Sequence, residues 1–128
     1  MPPNPSENAS SPIQRRRLAR LNKRYQELAA ELGEAGFILK GSVVERFRSC
    51  GTQGCQCSAD PPRLHGPYWQ WSTKVAGKTV TRRIDQEQAR RYQEWIDNRR
   101  RLEQVLEEMY AVSSQSAAIL FGHEPPNG

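Results

Sequence analysis

The sequence predicts one small α+β domain: an N-terminal helix, a three-stranded antiparallel sheet with a metal-binding loop, and a long C-terminal helix packed antiparallel to the first. Three observations support this class. The 128-residue length suits a single domain. Apolar residues recur at helical spacing near both ends, whereas the middle is rich in Val, Thr and Trp. The hydrophobic share of 36% allows only a modest core.

The first helix is predicted to begin at Pro12 and to end near residue 32. Residues 1–11 are rich in Pro, Ser and Asn, a composition typical of a disordered arm. Ser11 can cap the helix, Pro12 suits the first helical position, and Gln14 completes a capping box. The helix then carries an apolar stripe at spacings of three and four: Leu18, Leu21, Tyr25, Leu28 and Leu32.

Three strands are predicted over residues 41–49, 67–75 and 78–84, the last two joined at Ala76 and Gly77 as a hairpin. Apolar and polar residues alternate along the second strand, so that its two faces differ. Its tryptophans are expected to form core beneath the second helix. The predicted core pairs Trp69, Trp71, Val80 and Ile84 with Tyr92, Trp95 and Ile96.

The second long helix is predicted to begin after Asp85, which can cap it, with Gln88 as its capping-box partner. It is expected to fray between residues 110 and 121. Residues 12–121 would then form the single domain, followed by a disordered tail at 122–128. The helix has its own apolar stripe, able to face the first helix: Tyr92, Trp95, Ile96, Leu102, Leu106 and Met109.

Cys50, Cys55, Cys57 and His65 lie within sixteen residues of one another and are the candidate metal ligands. Three thiols and an imidazole form a donor set that suits tetrahedral zinc. Such a site has no open coordination position, so it predicts a structural zinc ion rather than a catalytic one. A zinc ion would also staple a domain whose core is small.

Two other interpretations of the cysteines remain open. The three could be reduced, partly buried side chains with His65 an ordinary loop residue. A redox role is the second, although Cys55 and Cys57 are too close in sequence for an unstrained disulfide. No pair of cysteines has the Cys-x-x-Cys spacing.

The middle of the chain carries a distinctive series of residues: Gly41, Ser42, Val43, Val44, Glu45, Arg46, Phe47 and Arg48, then Cys50, Gly51, Gly54, Cys55, Cys57, His65, Gly66, Pro67 and Tyr68, and then Gly77, Lys78 and Thr79. This series resembles a small bacterial family of unknown function, zinc-ribbon-like, with the pattern GS-V-ER-R-CG-GC-C-HGPY. The similarity covers about residues 37–110. It implies that the cysteines and His65 act as a unit, and it implies no activity.

The charge distribution points to a polyanionic partner. The net charge is +5, and residues 37–84 carry eight basic and two acidic side chains. Six further bases open the first helix with no acid between them. The predicted phosphate-contacting residues are Arg15, Arg16, Arg17, Arg20, Lys23, Arg24, Arg46, Arg48, Lys74, Lys78 and Arg82.

These features predict an accessory or regulatory protein that binds nucleic acid, with DNA as the first candidate and RNA left open, and that contains structural zinc. The alternative is a zinc-stapled interaction module whose helices pair with another protein or with a second copy. No nucleophile elbow or phosphate loop is present, so an enzyme is not predicted. The N-terminus lacks the basic start and apolar stretch of a secretion signal, which predicts a cytoplasmic protein without membrane attachment.

Overall fold

The computed structural model of the protein describes residues 11–124. It confirms the predicted fold class of two helices and a three-stranded antiparallel sheet. A single 3-10 turn at Gln56–Ser58 lies in the long connection between the first two strands. The elements are α1 (Pro12–Glu34), β1 (Ser42–Arg48), β2 (His65–Val75), β3 (Lys78–Ile84) and α2 (Gln86–Phe121). Nearly all of the predicted N-terminal arm and the last four residues of the predicted tail lie outside the described residues.

The chain divides into two compact units. The described part of the helical unit consists of residues 11–35 and 100–124, and the sheet unit consists of residues 36–99. The boundary between the units falls within α2, which continues through it without interruption. The residues of α2 up to 99 belong to the sheet unit, and those from 100 onward belong to the helical unit.

The helical unit is an antiparallel pair of helices. Its core is formed by Leu28, Val105 and Val112, which are at most 9% exposed. Arg24 of α1 bonds to Glu108 of α2 at 2.7 Å, and Glu31 bonds to Arg101 at 2.7 Å, so the residue numbers rise along one helix as they fall along the other. Solvent screens such exposed ion pairs and leaves them little net stabilisation, so apolar packing stabilises the helix pair.

Both predicted helix caps are present. The backbone N–H of Gln14 donates to the Ser11 hydroxyl at 3.1 Å. At the start of α2 the capping box is reciprocal: Gln88 N–H donates to Asp85 Oδ1 at 2.8 Å, and Asp85 N–H donates to Gln88 Oε1 at 3.0 Å. The helix continues to Phe121, the far end of the predicted range, and Val112 in this last stretch is buried in the core.

The sheet has the order β1-β2-β3, and its register assigns each residue to one of two faces. Directly paired residues share a face, and neighbours along a strand alternate. One face, the inner face, carries Trp69, Trp71 and the residues paired with them. These partners are Val43, Glu45, Arg82 and Ile84. The outer face carries Tyr68, Gln70, Ser72, Lys74 and their partners, which are Ser42, Val44, Arg46, Thr79, Thr81 and Arg83.

The inner face packs against the first part of α2, much as predicted. The Trp71 and Tyr92 rings meet edge to face with centroids 5.5 Å apart, and Trp71 Nε1–H donates to the Lys40 carbonyl at 2.8 Å. Ile84 and Ile96 are 6% and 0% exposed. The prediction is wrong for Val80, which is 40% exposed.

Val80 stays exposed because of its place along the hairpin. It pairs with Thr73, two residues nearer the turn than Trp71, and α2 begins only after the opposite end of β3. The tryptophans themselves are half-buried rather than enclosed. The first part of α2 therefore packs on one end of the inner face, and the hairpin extends beyond it.

The turn between β2 and β3 has positive φ at both central residues, 50° at Ala76 and 79° at Gly77. This is the backbone of a type I′ turn, the two-residue connection whose twist matches a hairpin. Glycine accepts such a φ freely, whereas alanine is strained by its Cβ.

Replacing Ala76 with Asn should raise the free energy of unfolding by about 0.5 to 1 kcal/mol, because Asn tolerates the left-handed region better than Ala. Urea denaturation, followed by circular dichroism, measures the change. Ala76→Val is the control and should lower the stability, since a β-branched residue is least suited to positive φ. An Asn variant no more stable than the parent would contradict the assigned turn.

Candidate metal centre

The four predicted ligands come from three segments that the sheet brings together. Cys50 follows the end of β1 by two residues, Cys55 and Cys57 flank the start of the 3-10 turn, and His65 is the first residue of β2. Arg48 pairs with His65 across the β1–β2 ladder. Pairing of the strand ends therefore places Cys50 beside His65, and the turn brings the remaining two thiols to them.

The donor atoms of Cys50, Cys55, Cys57 and His65 all lie within 4.8 Å of one another. The Cys50 and Cys57 sulfurs are 3.5 Å apart, and Cys55 Sγ lies 3.2 Å from His65 Nε2. A tetrahedral ion with metal–sulfur bonds of about 2.3 Å requires sulfur atoms about 3.8 Å apart. The cluster therefore has the dimensions of a four-coordinate site, and these four residues could hold a metal ion.

Backbone N–H groups point at the sulfur atoms. Cys50 N–H donates to Cys57 Sγ at 3.3 Å, and Thr52 N–H donates to Cys50 Sγ at 3.4 Å. The turn is fixed by Cys55 N–H to the Thr52 carbonyl at 3.2 Å and by Ser58 N–H to the Cys55 carbonyl at 3.0 Å. Such second-layer contacts orient the ligands.

Two of the thiols are shifted in opposite directions. Hydrogen bonds from Thr52, together with those from Cys57 and His65, lower the pKa of Cys50 to about 6. A backbone hydrogen bond from Cys57 acts to lower the pKa of Cys55, but side-chain interactions with Cys57 and Cys50 outweigh it and raise that pKa. The cluster thus favours ionisation of the Cys50 thiol and disfavours ionisation of the Cys55 thiol. A cation bound among the sulfur atoms would stabilise both thiolates.

The cluster lies at the end of the sheet where β1 stops and β2 starts, and its four side chains differ in solvent exposure. Cys57 is 3% exposed. Cys55 and His65 are half-buried, and Cys50 is exposed. No disulfide is present among these cysteines.

Gly66 lets β1 and β2 approach closely beside His65. Its φ is 147°, and a Cβ built there would lie 2.8 Å from Phe47 Cδ1 and 2.9 Å from the Arg46 carbonyl oxygen. Any side chain at this position would push the strands apart at the point where His65 joins the cluster.

The predicted phosphate-contacting residues of the sheet unit lie on both faces. By register Arg46 and Lys74 belong to the outer face, whereas Lys78 and Arg82 belong to the inner face. The Arg82 guanidinium lies 5.9 Å from the centre of the Trp71 ring. Arg48 follows a register shift in β1 and lines a cavity with Tyr68 and Gln70 of the outer face.

The basic residues of α1 belong to the helical unit. Arg24 forms ion pairs with Glu27 at 3.3 Å and with Glu108 at 2.7 Å, so it has a structural role in the helix pair. The others are exposed side chains: Arg15, Arg16, Arg17, Arg20 and Lys23. The structure therefore does not gather the predicted bases on one surface of the sheet unit.

Arg83 is a candidate that the predicted set omitted. It pairs with Gln70 on the outer face, and its guanidinium carbon lies 4.2 Å from the centre of the Tyr68 ring. The sequence held a signal for it. With a two-residue turn at Ala76 and Gly77, counting back from the turn pairs residue 83 with residue 70, on the polar side of β2.

The α+β fold and the Cys3His cluster between two strands of its sheet define a candidate metal-binding protein. The chain belongs to the family described as a domain of unknown function (DUF6788), whose model matches residues 12–94. This match includes all four candidate ligands and confirms the resemblance to an uncharacterised family. No curated protein and no solved structure matches the chain. Neither helix among residues 11–124 is long and apolar enough to cross a membrane.

The protein should bind about one equivalent of Zn²⁺, used here as the test ion, and Cys57→Ser or His65→Ala should abolish tight binding because three ligands remain. Competition with a chromophoric chelator measures the affinity. His123→Ala is the control, since His123 is not a member of the cluster, and it should bind as the parent does. Unchanged affinity after His65→Ala would exclude the site.

Gly66→Ala should weaken Zn²⁺ binding by about tenfold or more, the scale on which outer-layer changes act at metal sites, because the added Cβ displaces His65. Gly33→Ala is the matched control. Nothing lies within 4 Å of a Cβ built at Gly33, so that variant should leave the affinity unchanged. Equal affinities for the two variants would show that strand approach at Gly66 does not set the position of His65.

Proposed function

We propose that the protein binds nucleic acid, DNA in the first instance, through the outer face of its sheet. A structural zinc ion at the Cys3His cluster would stabilise the end of that face where β1 stops and β2 starts. The observation that carries the proposal is the charge of this face. Arg46, Arg48, Lys74 and Arg83 belong to it or line the cavity in it, and no acidic residue does. The one acid of the three strands, Glu45, pairs with Trp69 on the inner face.

The outer face also has the chemistry of a phosphate-contacting surface. All four basic side chains are exposed. Hydroxyl groups that can donate to phosphate oxygens lie between them, at Ser42, Ser72, Thr79 and Thr81. From His65 to Lys74 the central strand spans about 30 Å at 3.3 Å per residue. That length lets one strand of nucleic acid place several phosphates along the face.

Zinc is the proposed ion because three thiolates and an imidazole at tetrahedral spacing suit it better than they suit a hard cation. The ion would join the end of β1 to the start of β2 through Cys50 and His65. Arg48 lies two residues before Cys50, so its backbone would be held by the same ion. With four protein ligands the ion has no open position, and we assign it no catalytic step.

The exposed bases of α1 form a second candidate surface for the same partner, and this surface belongs to the helical unit. Arg15, Arg16, Arg17, Arg20 and Lys23 have no acid between them in sequence, and charge runs of this kind also occur on helix ends that only meet solvent. Neutralising Arg16 and Arg20 together distinguishes a contact surface from a solvated helix end.

A second candidate function, protein interaction through the helices, is favoured by the apolar surface of α2. Leu106 and Tyr110, four residues apart and thus on one side of the helix, are 39% and 62% exposed. Phe121 is 73% exposed. Sedimentation equilibrium of the parent and of a Leu106→Ser, Tyr110→Ser variant tests for self-association through this side.

Lys74→Gln should weaken binding to a duplex of arbitrary sequence and reduce the salt dependence, lowering the slope of log K against log salt by about 0.9 for one lost phosphate contact. Lys78→Gln is the matched control, since it removes the same charge from the same hairpin but on the inner face. Fluorescence anisotropy with duplex DNA, single-stranded DNA and RNA at several salt concentrations provides the measurement.

Three results would count against the outer face. These are equal losses for Lys74→Gln and Lys78→Gln, a slope that Lys74→Gln does not change, and no salt-sensitive binding to any of the three nucleic acids. The zinc content of each variant must match that of the parent, so that a loss of binding reports the charge and not the fold.

A further inference from the structure

We infer that a cavity beside the metal cluster is a binding site for a phosphate group. The cavity has a volume of about 200 Å³ and lies on the outer face of the sheet. Arg48 from the end of β1 and Arg83 from β3 both line it, and Tyr68 and Gln70 of the central strand lie between those two strands. Ser49 also lines the cavity.

Both arginines line the cavity, and the position of the Arg83 guanidinium is set by an aromatic contact. Register places Arg83 beside Gln70, yet its guanidinium carbon lies 4.2 Å from the ring centre of Tyr68, two residues further along β2 towards His65. A guanidinium on an aromatic face keeps its N–H donors free at the edges of its plane. Among residues 11–124 neither Arg48 nor Arg83 forms an ion pair, and no acidic side chain lines the cavity.

This donor set matches phosphate better than it matches a carboxylate. Two guanidinium groups, the Gln70 amide and the Ser49 and Tyr68 hydroxyls offer more donors than two carboxylate oxygens can accept. Inorganic phosphate and a terminal phosphate group have at least three non-bridging oxygens and more negative charge than a carboxylate, and arginine binds such oxygens in pairs.

The metal cluster forms one wall of the cavity through Cys50 and His65. Three thiolates with one divalent ion leave a single formal negative charge, which the two guanidinium groups outweigh. Without the ion, Arg48 and Ser49 lose the anchor at Cys50, and the two guanidinium groups are no longer held together at the cavity. Phosphate binding should therefore be stronger in the metal-loaded protein, and by linkage phosphate should raise the metal affinity of the protein by the same factor, as measured at equilibrium against a chelator.

Inorganic phosphate is the first probe, titrated into the zinc-loaded full chain at constant ionic strength with chloride as the balancing anion. Saturable shifts of the Gln70 side-chain amide in ¹H–¹⁵N spectra give the affinity. Arg83→Gln and Arg48→Gln should weaken binding by about tenfold, the loss of one charge-assisted contact. Lys74→Gln, which removes a charge from the same face outside the cavity, should bind phosphate as the parent does.

Zinc content and circular dichroism of each variant show whether it is folded and loaded. Arg83 is distant in sequence from the ligands, so Arg83→Gln separates loss of the arginine from loss of the metal. A titration without saturation, or equal phosphate affinity for Arg83→Gln and the parent, would overturn the proposed site.

Oligothymidylates with a 5′-phosphate and with a 5′-hydroxyl then identify the source of the phosphate, a step that rests on the proposed function. Tighter binding of the phosphorylated strand, removed by Arg83→Gln, assigns the cavity to strand ends. If Arg83→Gln weakens the binding of both strands equally, the cavity is assigned to backbone phosphates. If inorganic phosphate binds and neither strand binds, the cavity is a phosphate site whose ligand is a small phosphate compound. That result contradicts the outer-face proposal.

The opposite pattern separates the two proposals in the other direction. If both strands bind, depend on Lys74 and are indifferent to Arg83→Gln, while inorganic phosphate does not saturate, the outer face is a nucleic-acid surface and the cavity is not a phosphate site.

Discussion

The convergence of Cys50, Cys55, Cys57 and His65 is the constraint on which the sheet unit depends. Sixteen residues separate β1 from β2 and contain only one short 3-10 turn as regular structure. What orders this connection is a few backbone hydrogen bonds and the cluster, whose donor atoms lie within 4.8 Å of one another. Thiolates this close would repel one another unless a cation lay between them. A metal ion bound by these four residues would therefore also fix the path of the connection between β1 and β2.

The apolar core is too small to make that constraint redundant. The largest side chains that are fully buried in the described chain are Leu18, Leu28, Ile96 and Val105. Several large apolar residues, among them Phe37 and Tyr110, are more than half exposed. With so few residues fully enclosed, a bound ion adds binding free energy that only the folded state collects, as in other small domains with structural metals.

Alternation along the strands decides which charges can act together. Arg82 and Arg83 are neighbours in sequence, yet one lies near Trp71 on the inner face and the other lies over Tyr68 on the outer face. The same rule separates Lys74 from Lys78 across a tight turn. An acid-free outer face results, although Glu45 lies within the same sheet. A count of charges by segment does not contain this information, because it averages over the two faces.

Local spacing and turn chemistry made four features predictable: the element order, both helix caps, the hairpin at Ala76 and Gly77, and the four members of the Cys3His cluster. The pairing of Arg83 with Gln70 was also within reach, because it follows from counting back from the turn. Three features could not be predicted in this way: the ion pair of Arg24 with Glu108, the position of Val80 beyond the reach of α2, and the cavity that Arg48 and Arg83 share. Each of these depends on where a distant segment packs, and spacing along one chain does not encode that distance.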